Sequence, residues 1–278
     1  MPELPEVRAH AERLSELVAG SLLERLELLS FSVMKTADPP VDGAKTQMLE
    51  SVTSRGKYLV LRFETMSHAV HLMQGGRLSA DAKRSRKPRG GLARWTFAND
   101  EALLLTEAGK EHRAGIWTFR NDDSTPEIFS TLGPDADGLD AAMLAKILAE
   151  HSGRLHTFLR KQRPIAGIVR RLANEICFAA QISPFASTGR LDDDAVDHLT
   201  AAIATCVADS LEFERGLDKM SSSKDRPSAV HRRTGETCNI CSDQIREVAY
   251  QRYTVNYCPT CQTNGKILAD NTTSKFLK

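Results

Sequence analysis

The chain has 278 residues, 41% hydrophobic, 26% charged and 6% aromatic, which fits one large domain or two ordinary ones and excludes a disordered or fibrous chain. It has no run of 18 apolar residues, and MPELPEVRAH lacks the basic and apolar regions of a secretory signal, so neither a membrane span nor export is expected. Lys+Arg 37 against Asp+Glu 36 looks neutral, yet residues 82–99 and 154–171 are acid-free and basic, so the distribution of charge keeps nucleic acid open as a partner.

The first element expected is an amphipathic helix over 3–19. Leu4, Val7, Ala11, Leu14 and Val18 recur at helical spacing, Pro5 suits a first turn, and Gly20 suits the stop. Short β-leaning runs follow at 22–29, 57–63, 68–73, 92–97, 102–106 and 116–119, which suggests a β-sandwich or barrel. The character changes after Leu132-Gly-Pro-Asp135. Residues 139–150, 172–180 and 192–213 read as helices, and 216–229 has the composition of a linker. This gives three expected domains: a β-rich one over 1–131, a helical one over 132–229, and a small metal module over 230–278.

The most specific motif is Cys238-Asn-Ile-Cys241 followed, after sixteen residues, by Cys258-Pro-Thr-Cys261. Two CxxC knuckles at that spacing suit one tetrahedral, structural Zn²⁺, because four thiolates close the shell and leave no open position. The residues between them, QIREVAYQRYTVNY, suit a hairpin, with Arg246 and Arg252 able to reach phosphate. Cys177 and Cys206 lie in apolar helical stretches and read as core thiols.

The start of the chain carries a second signal. Removal of the initiator Met would leave Pro2 as a secondary amine. An α-amino group titrates near 8 against about 10.4 for lysine, so it offers roughly a hundredfold more neutral nucleophile at neutral pH. Attack on an aldehydic carbon gives an iminium, which drains electrons from neighbouring C–H bonds.

MPELPEV, Lys57 in SRGKYLVL, LGPD, Gly167-Ile168 with ANEI following, and the CxxC…CPxCQ ribbon occur in one order along nearly the whole chain. Together they resemble the formamidopyrimidine-DNA glycosylase and endonuclease VIII family, in a divergent, actinobacterial-like branch. The resemblance implies an α+β multidomain fold: an N-terminal two-sheet β-sandwich with flanking helices, a helix–two-turn–helix domain, and a β-hairpin zinc finger, with DNA between them. It implies a base-excision repair enzyme, a glycosylase with AP-lyase activity on oxidised or ring-opened bases. In this sequence Pro2 would be the nucleophile on C1′ of a flipped nucleoside and Glu3 the acid/base. Glu6 would be a second carboxylate, and Lys57 would contact phosphate and assist catalysis. Arg252 matches the finger arginine, one place earlier relative to Cys258 than usual.

The departures matter as much. Where the family has Gly-Asn, this chain has Val169-Arg170, with Arg171 beside it, so both arginines are expected at phosphate. The family fills the gap left by the flipped base with a Met and a Phe. The first loop here reads His71-Leu-Met73-Gln74-Gly-Gly76, which places His71, Met73 and Gln74 at DNA. In the second, Arg113 is kept but Ala114 stands in place of the Phe. A chain with so little to stack is expected to favour lesions in single strands, bubbles or mismatches over perfect duplex. The expected partner is damaged DNA, duplex or single-stranded, met by a monomer in the bacterial cytoplasm, at the nucleoid when bound, and not at a membrane. Two other readings are a DNA-binding protein of the same fold with weak or lost glycosylase activity, and a zinc-ribbon module with no nucleic-acid role.

Overall fold

A computed structural model describes residues 1–109, 113–221, 225–250 and 253–268. These divide into two compact units, Met1–Thr131 with Glu214–Met220, and Leu132–Phe213 with the chain from Ser221 onward.

The first unit opens with helix α1 (Leu4–Val18), whose apolar stripe Leu4, Val7, Ala11, Leu14 and Val18 is buried as its spacing requires. Eight strands follow: β1 (Leu23–Leu28), β2 (Leu49–Arg55), β3 (Tyr58–Phe63), β4 (Met66–His71), β5 (Gly76–Ala80), β6 (Gly91–Phe97), β7 (Ala102–Glu107) and β8 (Gly115–Arg120). They form two antiparallel four-stranded sheets, ordered β1-β6-β7-β5 and β2-β3-β4-β8. Inward-facing residues of both sheets, among them Leu61, Phe63, Val70, Trp95 and Leu105, share one core with the apolar face of α1. Across it, Trp95 Nε1 donates to Nδ1 of the buried His68 at 3.1 Å.

β2 and β5 lie outside the runs expected as strands. LESVTSR is mostly polar, and GRLSA is short and begins with the second of two glycines. Pairing with the apolar neighbours β3 and β7 supplies what their own propensity lacks. β4 also ends at His71 rather than Met73, because Gly76 N–H turns back to the Leu72 carbonyl at 2.8 Å.

One end of this sandwich gathers the catalytic candidates. The β2–β3 hairpin carries Gly56 and Lys57 there, and the register of Tyr58 with His71 and of His71 with Gly115 aligns the ends of β3, β4 and β8. Gly76 pairs with Glu107 and Gly91 with Thr106, so the second sheet ends at the same place. Residues 214–220 belong with this unit because α1 holds them. Arg13 Nη1 donates to the carbonyls of Glu214 (2.8 Å) and Leu217 (3.1 Å), and Arg215 forms a bidentate pair with Glu12.

The second unit contains α2 (Ala141–Glu150), α3 (Leu155–Leu159), α4 (Arg170–Ala179) and most of α5 (Asp193–Arg215), then the hairpin β9 (Arg246–Ala249) and β10 (Thr254–Tyr257), and α6 (Pro259–Thr263). Short α3 lies inside the basic run and gives no periodic signal. The stretch expected as a linker is tied down at its far end. Arg171 donates to the carbonyls of Arg226 and Pro227, and the Glu175 carboxylate accepts the amides of Ala229, Val230 and His231 at 2.6, 3.1 and 2.8 Å. α4 therefore grips 226–231 with a donor and an acceptor one helical turn apart. Phe178 of α4 packs in one small core with Val230, Cys238, Ile245 and Cys258, so the cysteine-bearing segment shares its core with the helices.

Candidate active site and nucleic-acid interface

Glu3 is the N-cap of α1, and it forms a capping box with Glu6. Glu6 Oε2 accepts the Glu3 amide at 3.0 Å, and both carboxylates are buried, at 2% exposure. The sequence E-L-P-E dictates this arrangement, since a carboxylate three residues after the cap reaches back to it. Glu6 thus holds the backbone of Glu3 and acts as a positioning group.

Pro2 is half-buried immediately before this cap. Lys57 reaches the same place from the β2–β3 hairpin, with Nζ 3.3 Å from Met1 Sδ. Burial lowers the Lys57 pKa from the lysine range, and the nearby Glu3 carboxylate offsets part of that effect. The start of the chain, a buried carboxylate and a partly desolvated amine therefore converge at one point.

His71 follows on β4. It is buried, and Nδ1 accepts the Met73 amide at 3.0 Å, so the ring carries its proton on Nε2. Burial, with Lys57 nearby, brings its pKa down to about 4. At neutral pH His71 is a hydrogen-bond donor, not a cation. Met73 sits at φ 52° and is half-buried, while Gln74 is exposed. The two glycines that follow are steric requirements. A Cβ on Gly75 would lie 2.7 Å from the Ala108 carbonyl oxygen, and one on Gly76 would lie 2.3 Å from that of Leu72.

Arg113 is exposed at the end of the β7–β8 connection. Ala114 does not sit where a stacking residue could act: it is fully buried in the core, and its amide donates to Glu107 Oε2 at 2.8 Å. Glu107 is a site residue without an expected role. Its one signal is a carboxylate closing the apolar run ALLLT, where burial demands donors.

In the second unit Arg170 is half-exposed in the first turn of α4. Arg171, expected at phosphate, is instead 3% exposed and spends its guanidinium on the 226–227 carbonyls. Arg252 lies outside the described residues. Beside it in sequence, Tyr253 stacks on Tyr250 (centroids 4.7 Å apart), and Arg160 lies 4.1 Å over the Tyr253 ring.

The sulfurs of Cys238, Cys241, Cys258 and Cys261 lie within 4.8 Å of one another, with Cys238–Cys261 at 3.8 Å and Cys241–Cys258 at 3.4 Å. A tetrahedral Zn–S bond of about 2.3 Å implies sulfur separations of about 3.8 Å. The four cysteines fit a metal ion, and their thiolate chemistry favours a closed site.

A sequence model of the formamidopyrimidine-DNA glycosylase N-terminal domain matches residues 1–111. An uncharacterized formamidopyrimidine-DNA glycosylase-like protein of Mycobacterium tuberculosis is 40% identical over 149 residues, 53% of this chain and 94% of its own. The formamidopyrimidine-DNA glycosylase of Symbiobacterium thermophilum is 27% identical over 276 residues, 94% of this chain and 89% of its own. Among solved structures, the Lactococcus lactis formamidopyrimidine-DNA glycosylase bound non-covalently to DNA containing an AP site superposes with TM-score 0.83, at 19% identity, over 94% of this chain and 99% of that one. That likeness establishes the fold, two antiparallel sheets with helices and a C-terminal cysteine cluster. With the N-terminal match and a relative at 40% identity, this chain belongs to the formamidopyrimidine-DNA glycosylase family.

Proposed function

We propose that the chain is a bifunctional DNA glycosylase and AP lyase of base-excision repair, acting on oxidised or ring-opened bases. The observation that carries this is the convergence of the chain start, Glu3 and Lys57 at one end of the sandwich. With Met1 removed, the Pro2 nitrogen attacks C1′ of a flipped nucleoside. The C1′–N bond breaks, the base leaves with a proton, and the sugar ring opens to an iminium. Glu3 shuttles protons in these steps, and Glu6 holds its backbone. The iminium acidifies the C2′ hydrogens, so the 3′ and then the 5′ phosphate leave by β- and δ-elimination.

Lys57, His71, Met73, Gln74, Arg113, Arg170 and Arg252 form the DNA-binding set. Arg171 contributes by fixing the segment ahead of the finger. In this reading residues 1–131 catalyse, 132–229 bind DNA through the helices, and 230–278 form the finger around one structural Zn²⁺. The partner is damaged DNA, bound by a monomer in the bacterial cytoplasm. Bacterial relatives support that setting, and no helix among the described residues is long and apolar enough to cross a membrane.

Borohydride trapping on an abasic-site oligonucleotide tests the reading. The wild-type protein should form a covalent adduct, and Pro2→Gly should not, while both bind DNA. Glu3→Gln should lose base excision and keep some cleavage at preformed abasic sites. Binding without any adduct in the wild type would replace this reading with that of a DNA-binding protein of the same fold.

A further inference from the structure

Extruding a base leaves a gap in the stack, which proteins that unstack DNA frequently fill with an apolar side chain. Neither residue at the expected positions can fill it. Ala114 is fully buried, and Gln74 is polar. Both positions lie at the catalytic end of the sandwich, Gln74 between β4 of one sheet and β5 of the other, and Ala114 immediately before β8.

Another crossing between the sheets lies at that same end. After β1, the amides of Leu29 and Ser30 donate to the Leu92 carbonyl of the first sheet, at 2.9 and 3.1 Å. A few residues later Met34 bridges Ile116 of the other sheet, and the Lys35 amide donates to the Ile116 carbonyl at 2.9 Å. Between these anchors a single 3-10 turn, Phe31–Val33, spans the sandwich end. Ile116 lies one residue beyond Gly115, so this crossing ends near Ala114.

The turn is anchored on one side and bare on the other. Val33 is fully buried in the core, whereas Phe31 is 82% exposed, the most exposed large apolar side chain among the described residues. Lys35 Nζ holds the turn through the Ser32 carbonyl at 2.6 Å, and the Ser30 and Ser32 hydroxyls lie 2.9 Å apart. No acid occurs from Leu28 to Ala37, so nothing in this segment repels phosphate. An aromatic ring held in water by an anchored turn, at the end of the fold that carries the catalytic candidates, matches what stacking on bases requires.

We propose that Phe31 is the stacking residue of this protein, inserting against the bases of the duplex opened around the lesion. The inference rests on the glycosylase reading above, and its test separates the two. The probe is a duplex with the abasic analogue tetrahydrofuran in one strand and 2-aminopurine opposite it. Wild-type protein should change the 2-aminopurine fluorescence on binding. Phe31→Ala should lose that change and about tenfold in duplex affinity, an effect in line with measured base–aromatic stacking. Phe31→Trp should restore both. At saturating protein, where any loss of affinity is offset, imine trapping by Phe31→Ala on a single-stranded abasic oligonucleotide should stay at the wild-type level, since the Pro2 chemistry is untouched.

An unchanged fluorescence response in Phe31→Ala overturns the proposal. So does an equal loss on single-stranded and duplex probes, which would mark a general contact. If the wild type itself traps no imine, the glycosylase reading fails, and the fluorescence arm still reports on Phe31 by itself.

Discussion

The Glu107 carboxylate accepts the Ala114 amide at 2.8 Å, and both residues are buried, which ties the end of β7 to the residue before β8. This bond and its burial keep Ala114 in the core, away from DNA. A phenylalanine placed at 114 would therefore point into the core rather than into a base stack. Ala114→Phe should overpack the core and cost about 1–3 kcal/mol of stability. Glu107→Ala should strand the amide and cost a similar amount, about 1–3 kcal/mol. Urea unfolding of the two variants checks both. A stable Ala114→Phe with raised duplex activity would return the residue to the DNA interface.

Buried histidines set an acid limit on stability. Burial lowers His71 and His231 to about 4 and His68 and His156 to about 3. Unfolded histidine titrates near 6.5, so below that pH the unfolded chain binds more protons than the folded one. The stability these groups contribute is complete above about pH 6.5 and is lost as pH falls toward 4 and 3. For His71 alone the loss reaches about 3 kcal/mol at most. Urea midpoints from pH 7.5 to 4.5 should fall, and His71→Gln should flatten part of the slope. A wild-type midpoint independent of pH over that range would refute the assignment.

Much of the fold is written locally. The stripe from Leu4 to Val18 specifies α1 because period and burial agree, whereas the capping box of Glu3 and Glu6 is a feature the structure adds to that stripe. The four cysteines are legible because two knuckles at fixed spacing have few other uses. What escaped depends on distant partners. β2 and β5 are strands because β3 and β7 lie beside them, and nothing in LESVTSR or GRLSA states that. Arg171 looks like another member of a basic run until residues fifty-five positions away bury it. Ala114 differs again: its neighbour Arg113 is exposed, and a one-residue change of side moves it from the interface to the core.

The grip of α4 on the segment before the finger yields its own prediction. Glu175→Ala leaves the amides of Ala229, Val230 and His231 without their acceptor, and a charged hydrogen-bonded group of this kind is worth about 1.5–3 kcal/mol. Glu175→Gln keeps one carbonyl oxygen and should lose less. Thermal unfolding should rank wild type above Gln above Ala. Amide exchange should rise at 229–231 in the Ala variant, and equal protection there in all three proteins would show that the segment is held from elsewhere.

Metal removal should reach beyond the finger. A structural zinc contributes folding energy of about 10 kcal/mol or more in isolated fingers, which here would be shared with α4 through Phe178. Chelation, or Cys258→Ser, should therefore raise amide exchange over 230–268 and also over the C-terminal turn of α4. The sandwich has a core of its own, Trp95 and Phe63 included, so protection of β3, β4, β6 and β7 should persist. Duplex affinity should fall together with its salt dependence, by roughly 0.9 in the logarithmic slope for each phosphate the finger no longer neutralises. Hydrogen exchange and salt titrations on the same chelated sample distinguish the outcomes. Unchanged exchange in α4 would mean that the finger folds on its own, and an unchanged salt slope would remove it from the DNA interface.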